Sequence, residues 1–115
     1  MGIYKEFFLF SQSFSLKKLQ NMFVLILTYK APIEKVLELL DAHCCFLDKY
    51  YTAGNFLASG PQIPRTGGTI LCRAKNRQEV EEIIKEDPFN EIVDYQIIEF
   101  EPNKSIEGFK ELLNV

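Results

Sequence analysis

The sequence is sparing with the residues most often used for chemistry. Of its 115 residues only one is a histidine, His43. The three cysteines, Cys44, Cys45 and Cys72, form no Cys-x-x-Cys pair. That removes the ligand spacing of a zinc ribbon, of a thioredoxin-like site and of a cysteine-based metal-chaperone loop. An odd count with two adjacent cysteines is not a secreted disulfide framework either, since neighbours on a helix point about 100° apart. The expectation is buried, small hydrophobic cysteines in a reducing cytoplasm. Basic charge is also in short supply: 13 Lys and Arg stand against 16 Asp and Glu, a formal net charge of -3. A general nucleic-acid binder needs a basic face to displace counterions, so that class is excluded, although a small basic pocket is not. No apolar run approaches the roughly 18 residues of a membrane span, so no membrane partner is expected. The Phe7-Phe8-Leu9-Phe10 run is too short for a signal-peptide core, and Lys5-Glu6 before it is not a basic flank.

What is present is the composition of an ordinary soluble domain, 47% hydrophobic and 25% charged. Residues 1–21 lack the patterning that opens at Met22. They read as an extension outside a core domain of residues 22–115, or else as a packed arm, because Phe7, Phe8, Phe10, Phe14 and Leu16 are costly to leave in water. Residues 23–29 are a continuous apolar and β-branched run, which predicts a central strand buried on both faces. Ile33, Val36, Leu37, Leu40, Cys44, Leu47 and Tyr51 recur at helical spacing over residues 33–51, and the stripe centres on Leu37, Leu40 and Leu47. Gly54 is a natural stop. Residues 55–60 and 69–74 read as two strands joined by a Pro- and Gly-rich loop. Asn76 with Glu79 three positions on marks the start of a second helix, which must end before Pro88. Residues 93–100 form a fourth strand with Val93, Tyr95 and Ile97 on one side, and 105–113 a short final helix.

The order β-α-β-β-α-β predicts a ferredoxin-like α+β fold: a four-stranded antiparallel sheet with two helices on one face. The other face then needs a cover, and a homodimer through that open face, as in a dimeric α/β-barrel-like assembly, is the simplest one. A fold of this kind hosts unrelated functions, so the site has to be found separately. Residues 69–74 carry no aromatics for base stacking, against an RNA-recognition domain. Gly67-Gly68 precedes a strand rather than a helix, against a phosphate loop.

Four features could carry chemistry. His43 lies on the flank of the helical stripe, about 60° from its centre, beside Leu39, Phe46 and Tyr50. It is either a satisfied boundary residue or an imidazole at the mouth of a cavity between helix and sheet. Asp87, in Asp87-Pro88-Phe89, is either part of a helix-ending turn or a rigidly held carboxylate that orients His43. Ser59 and Gly60 either make a plain turn or offer a hydroxyl and close backbone approach to an anionic or enolate oxygen. Arg65 is either a solvated loop residue or a clamp for a substrate carboxylate. A Cys44–His43 nucleophilic pair is disfavoured, because one helical step separates their directions.

In order and spacing these pieces resemble the YciI-like (YCII-related) family. The resemblance runs from Met22 to about Pro102. It rests on the strand of residues 23–29, on His43-Cys44-Cys45-Phe46-Leu47, and on Phe56-Leu57-Ala58-Ser59-Gly60-Pro61. It continues through Pro64-Arg65-Thr66-Gly67-Gly68, Asp87-Pro88-Phe89 and Tyr95-Gln96-Ile97-Ile98-Glu99-Phe100. The resemblance implies a dimeric ferredoxin-like protein with a site built on a histidine and an aspartate, here His43 and Asp87. One relative is a dehydrochlorinase acting on a chlorinated hydroxyquinol, which implies acid–base elimination without a metal or other cofactor. The expectation is a small-molecule enzyme of the lyase type, with catalytic His43 and Asp87 and substrate-binding Ser59, Gly60 and Arg65. The alternatives are a small-metabolite binding module using the same pocket, or an interaction protein docking through residues 1–21.

Overall fold

A computed structural model of the chain describes residues 20–113. The expected separation of residues 1–21 as an extension, and the aromatic run within it, lie almost wholly outside those residues. Four strands, β1 (Asn21–Tyr29), β2 (Phe56–Pro61), β3 (Gly67–Ala74) and β4 (Val93–Phe100), form an antiparallel sheet in the order β2-β3-β1-β4. The helices are α1 (Ile33–Thr52), α2 (Arg77–Ile84) and α3 (Phe109–Leu113), with a single 3-10 turn at Pro88–Glu91. The architecture is therefore α+β.

Each boundary has a local cause. Gly54 closes α1 with φ at 90°, the left-handed backbone that glycine adopts at no steric cost. At the start of α2 the Asn76 side chain accepts a hydrogen bond from the Glu79 amide at 2.9 Å. Glu79 reaches back one residue further than in a standard capping box, to the Lys75 amide at 2.8 Å. Leu113 ties α3 to the entry of the sheet: its carbonyl accepts from the Gln20 amide at 2.9 Å.

The core lies between one sheet face and the helices. Phe23, Leu25 and Leu27 of β1 are opposite Cys72, Ile70 and Gly68 of β3, and their side chains meet Val36 and Phe46 of α1 and Val80 and Ile83 of α2. Side chains alternate across a strand, so Val24 and Ile26 point to the other face with Leu71. They are half-buried rather than sealed, and Ile98 and Phe100 are exposed. Met22, on the same face, is 1% exposed, so the expectation of a central strand buried on both faces holds at Met22 and is corrected to half-burial at Val24 and Ile26.

The phase of α1 is a second correction. Its buried residues are Val36, His43 and Phe46, with Leu39, Leu40, Leu47 and Tyr50 partly covered. The helix is turned so that His43 faces inward while Leu37, at the centre of the apolar stripe, is 54% exposed. Aromatic bulk decides the phase. Phe46 packs with Phe56 and Tyr50 at ring-centroid distances of 5.6 and 5.5 Å, a cluster that Leu37 and Leu40 cannot match. The cysteine expectation is corrected likewise. Only Cys72, on the inner sheet face, is buried; Cys44 and Cys45 are exposed, and all three are free thiols.

Candidate functional site

The rotation of α1 puts His43 on the helix face that meets the sheet, 8% exposed. Leu40, Cys44 and Leu47, at the edge of the core, form the wall of a cleft beside it. The opposite wall is Ser59, Gly60, Pro61 and Arg65 of the β2–β3 hairpin, and Leu27, Ile70 and Phe89 form the floor. The cavity is about 230 Å³, just below the ~300 Å³ at which ligand pockets usually begin.

The tripeptide Asp87-Pro88-Phe89 fixes the imidazole from two sides. Pro88 holds Asp87 extended, with φ -73° and ψ 122°, and the Asp87 carboxylate caps the following 3-10 turn by accepting from the Phe89 amide at 2.9 Å. The same oxygen, Oδ1, lies 2.7 Å from His43 Nδ1. The turn carries the Phe89 ring onto the imidazole face, with centroids 3.9 Å apart and planes 5° from parallel. Among the described residues His43 Nε2 has no partner, yet no side-chain nitrogen or oxygen there is both sealed and unpaired. Nε2 therefore opens to the cavity. With Nδ1–H facing a carboxylate, the neutral imidazole presents an acceptor there.

Sequence reasoning missed one member of the cluster. Tyr95 Oη donates to the second carboxylate oxygen, Asp87 Oδ2, at 2.5 Å. Asp87 is 3% exposed, so these three donors are what sustain its charge in the interior. Burial pushes the Tyr95 hydroxyl well above the usual tyrosine range, and the neighbouring carboxylate pushes it further. The signal was available in Val93, Tyr95, Ile97: a tyrosine on the inward face of a strand must find an acceptor for its hydroxyl.

The other expected site residues are also brought to the cleft, with different surroundings. Ser59 Oγ and Tyr51 Oη lie 2.7 Å apart, and both residues are exposed. Arg65 sits on the hairpin loop, its Nε 3.5 Å from Tyr29 Oη. Gly60 lines the cleft, but a Cβ there would meet nothing within 4 Å, so the fold does not require glycine at that position. Gly67 is the demanding one: a Cβ would fall 1.7 Å from the Leu27 carbonyl oxygen. Gly67 lets β3 press against β1, while a Cβ at Gly68 would meet the Gly60 carbonyl oxygen of β2 at 3.3 Å. Among the described residues, no three His, Cys, Asp or Glu side chains converge as metal ligands would. None of the described helices is long and apolar enough to cross a membrane.

A four-stranded α+β sheet with a buried imidazole–carboxylate pair opening into a small apolar cleft defines the class. Residues 22–101 match the model of the YCII-related domain, and the chain belongs to that family. Neither the curated proteins nor the solved structures contain a significant match to the chain.

Proposed function

We propose that the protein is a small-molecule enzyme that moves a proton with His43 on a small cyclic or aromatic substrate, in a simple transfer or as the first step of an elimination. The observation that carries this reading is the buried His43–Asp87 pair at 2.7 Å, with Nε2 open to the cleft. In the elimination, Nε2 takes a proton from substrate carbon. The C–H electron pair becomes the new C=C bond, and the leaving group departs with its own bonding pair. Asp87 holds the tautomer and stabilises the imidazolium that forms. Ser59, with the backbone around Gly60, would meet an oxygen on which negative charge develops, and Arg65 the substrate's anionic end. Catalysis by proton transfer of this kind contributes typically 10²–10⁴-fold.

The strand order and antiparallel pairing support a ferredoxin-like reading of the sheet. The half-buried Val24, Ile26 and Leu71 with exposed Ile98 and Phe100 support a homodimer closed across the open sheet face, and the free thiols of Cys44, Cys45 and Cys72 support a reducing cytoplasm. A metabolite-binding module would use the same cleft, but it would have no use for a carboxylate buried behind the imidazole, which favours the enzyme.

The test is proton exchange in D₂O. A panel of small phenols and keto acids is incubated with the protein and followed by proton NMR. At least one compound is expected to lose a carbon-bound proton, or a leaving group, at a rate that His43→Ala lowers by about 10² or more. Ligand-dependent thermal shifts without exchange, unchanged in His43→Ala, would overturn the catalytic role.

A further inference from the structure

The cleft walls carry an unusual charge. At the chain's average acid content a wall of this size would hold about two carboxylates, yet it holds no Asp or Glu. Asp87 lies behind the imidazole with both oxygens engaged. Arg65 is the only Lys or Arg on the wall.

Half of the described Lys and Arg side chains are paired with an acid and half are not; of the unpaired ones, Arg65, Arg73, Lys75, Lys104 and Lys110, Arg65 is the one on the cleft wall. Lys30, Lys35, Lys49, Arg77 and Lys85 each lie within 4.0 Å of an acid. Arg65 makes no ion pair among the described residues, and its only polar contact is the long one from Nε to Tyr29 Oη. That contact steadies one edge of the guanidinium and leaves the Nη edge open. A free guanidinium edge matches a carboxylate in two parallel N–H···O bonds. Beside it, Leu27, Leu40, Leu47, Ile70 and Phe89 offer only hydrocarbon. A cavity of about 230 Å³ holds a single substituted ring rather than a fused polycycle.

From this we infer that the cleft selects for charge: its ligand is a small carboxylate with a flat apolar body. The acid end meets Arg65, and the body lies over the Leu and Phe floor beside His43 Nε2. In a chain of net negative charge, this wall admits anions and turns cations away. The inference rests on the reading of the cleft as the substrate site and adds the substrate's charge class.

Three probes of one shape separate the terms: benzoate, benzamide and benzamidine differ in charge and hardly in size. Affinities are measured by calorimetry with the full chain, with Arg65→Gln, and with Lys49→Gln as a control for overall charge. Benzoate is expected to bind wild type at least about tenfold more tightly than benzamide, with benzamidine weakest. Arg65→Gln should bring benzoate to within about threefold of benzamide, while Lys49→Gln leaves the preference in place. Equal affinities in wild type, no binding of benzoate up to about 10 mM, or a benzoate preference that survives Arg65→Gln would each overturn the inference. Failure here with His43-dependent exchange intact refutes the charge class alone. Arg65-dependent benzoate binding with no exchange on any substrate refutes the catalytic reading alone.

Discussion

Tyr95→Phe isolates one hydroxyl. The ring keeps its place, so no cavity opens, and the change is confined to the hydrogen bond on Asp87 Oδ2. That oxygen belongs to a carboxylate only 3% exposed, so water cannot easily replace the lost donor. Hydrogen bonds to charged groups are worth about 1.5–3 kcal/mol, and a buried acceptor left empty carries its full desolvation penalty. The expected loss is therefore about 2 kcal/mol, or roughly 8–16 °C in Tm for a domain of this size. Urea unfolding followed by circular dichroism measures it directly, with Tyr51→Phe as the exposed control that should stay within about 0.5 kcal/mol of wild type. A cycle with Asp87→Asn tests the cause. If the hydroxyl acts through the carboxylate, the double variant should lose about 1 kcal/mol less than the two single losses combined. Tyr95→Phe indistinguishable from wild type, or strictly additive with Asp87→Asn, would refute the view that Tyr95 sustains the buried charge.

Three further outcomes are expected. Gly67→Ala should abolish or severely weaken folding, since its Cβ would overlap the Leu27 backbone, while Gly60→Ala should unfold with a midpoint close to wild type; similar urea midpoints for the two would contradict the packing of β3 on β1. Phe46→Ala should cost about 3–5 kcal/mol and Leu37→Ala less than about 0.5, the reverse of what the stripe alone implies; equal losses would mean α1 sits in another phase. Stability should fall at alkaline pH. Burial pushes the Cys72 thiol up to about 12 from 9.0 and also raises the Tyr95 hydroxyl. A group whose pKa is raised by folding stabilises the native state below its unfolded pKa, and that stability is lost as pH climbs toward the folded value. Cys72 steepens the loss from about pH 9 to 12 and Tyr95 from about pH 10 upward, each by up to about 1.4 kcal/mol per pH unit. Urea midpoints at pH 8 and pH 10.5, for wild type and Cys72→Ala, measure this, and a flat wild-type profile would contradict it.

Much of the fold was legible because its signals are local. The residues 23–29 run, the Asn76–Glu79 start, the Gly54 stop and the Pro88 break each act within a few residues; the first three boundaries fall within two residues of their expected places, and α2 ends at Ile84, ahead of the Pro88 break. The phase of α1 was not local. A stripe of leucines marks a face, but the sheet takes whichever face fits its own side chains, and Phe56 selects Phe46 and Tyr50. The flank assigned to His43 thus became part of the buried face, while Leu40 and Leu47 of the stripe stay at the edge of the core and line the cleft. The His43–Asp87 contact was reachable through the family resemblance, since the two lie 44 positions apart. Tyr95 and Gly67 were not singled out because their roles depend on strand register, which sets Tyr95 opposite Leu27 and Gly67 opposite Thr28.

The clamp formed by three consecutive residues has a consequence for motion. Asp87 grips the Nδ1 edge of the His43 ring, and Phe89, two residues later, covers its face. A half-turn of the imidazole would have to break the edge contact and slide out of the stack together, so ring flipping should be slow and rarely sampled. Nε2 is aimed before any ligand arrives, and a ligand of the cleft spends none of its binding energy on aiming it.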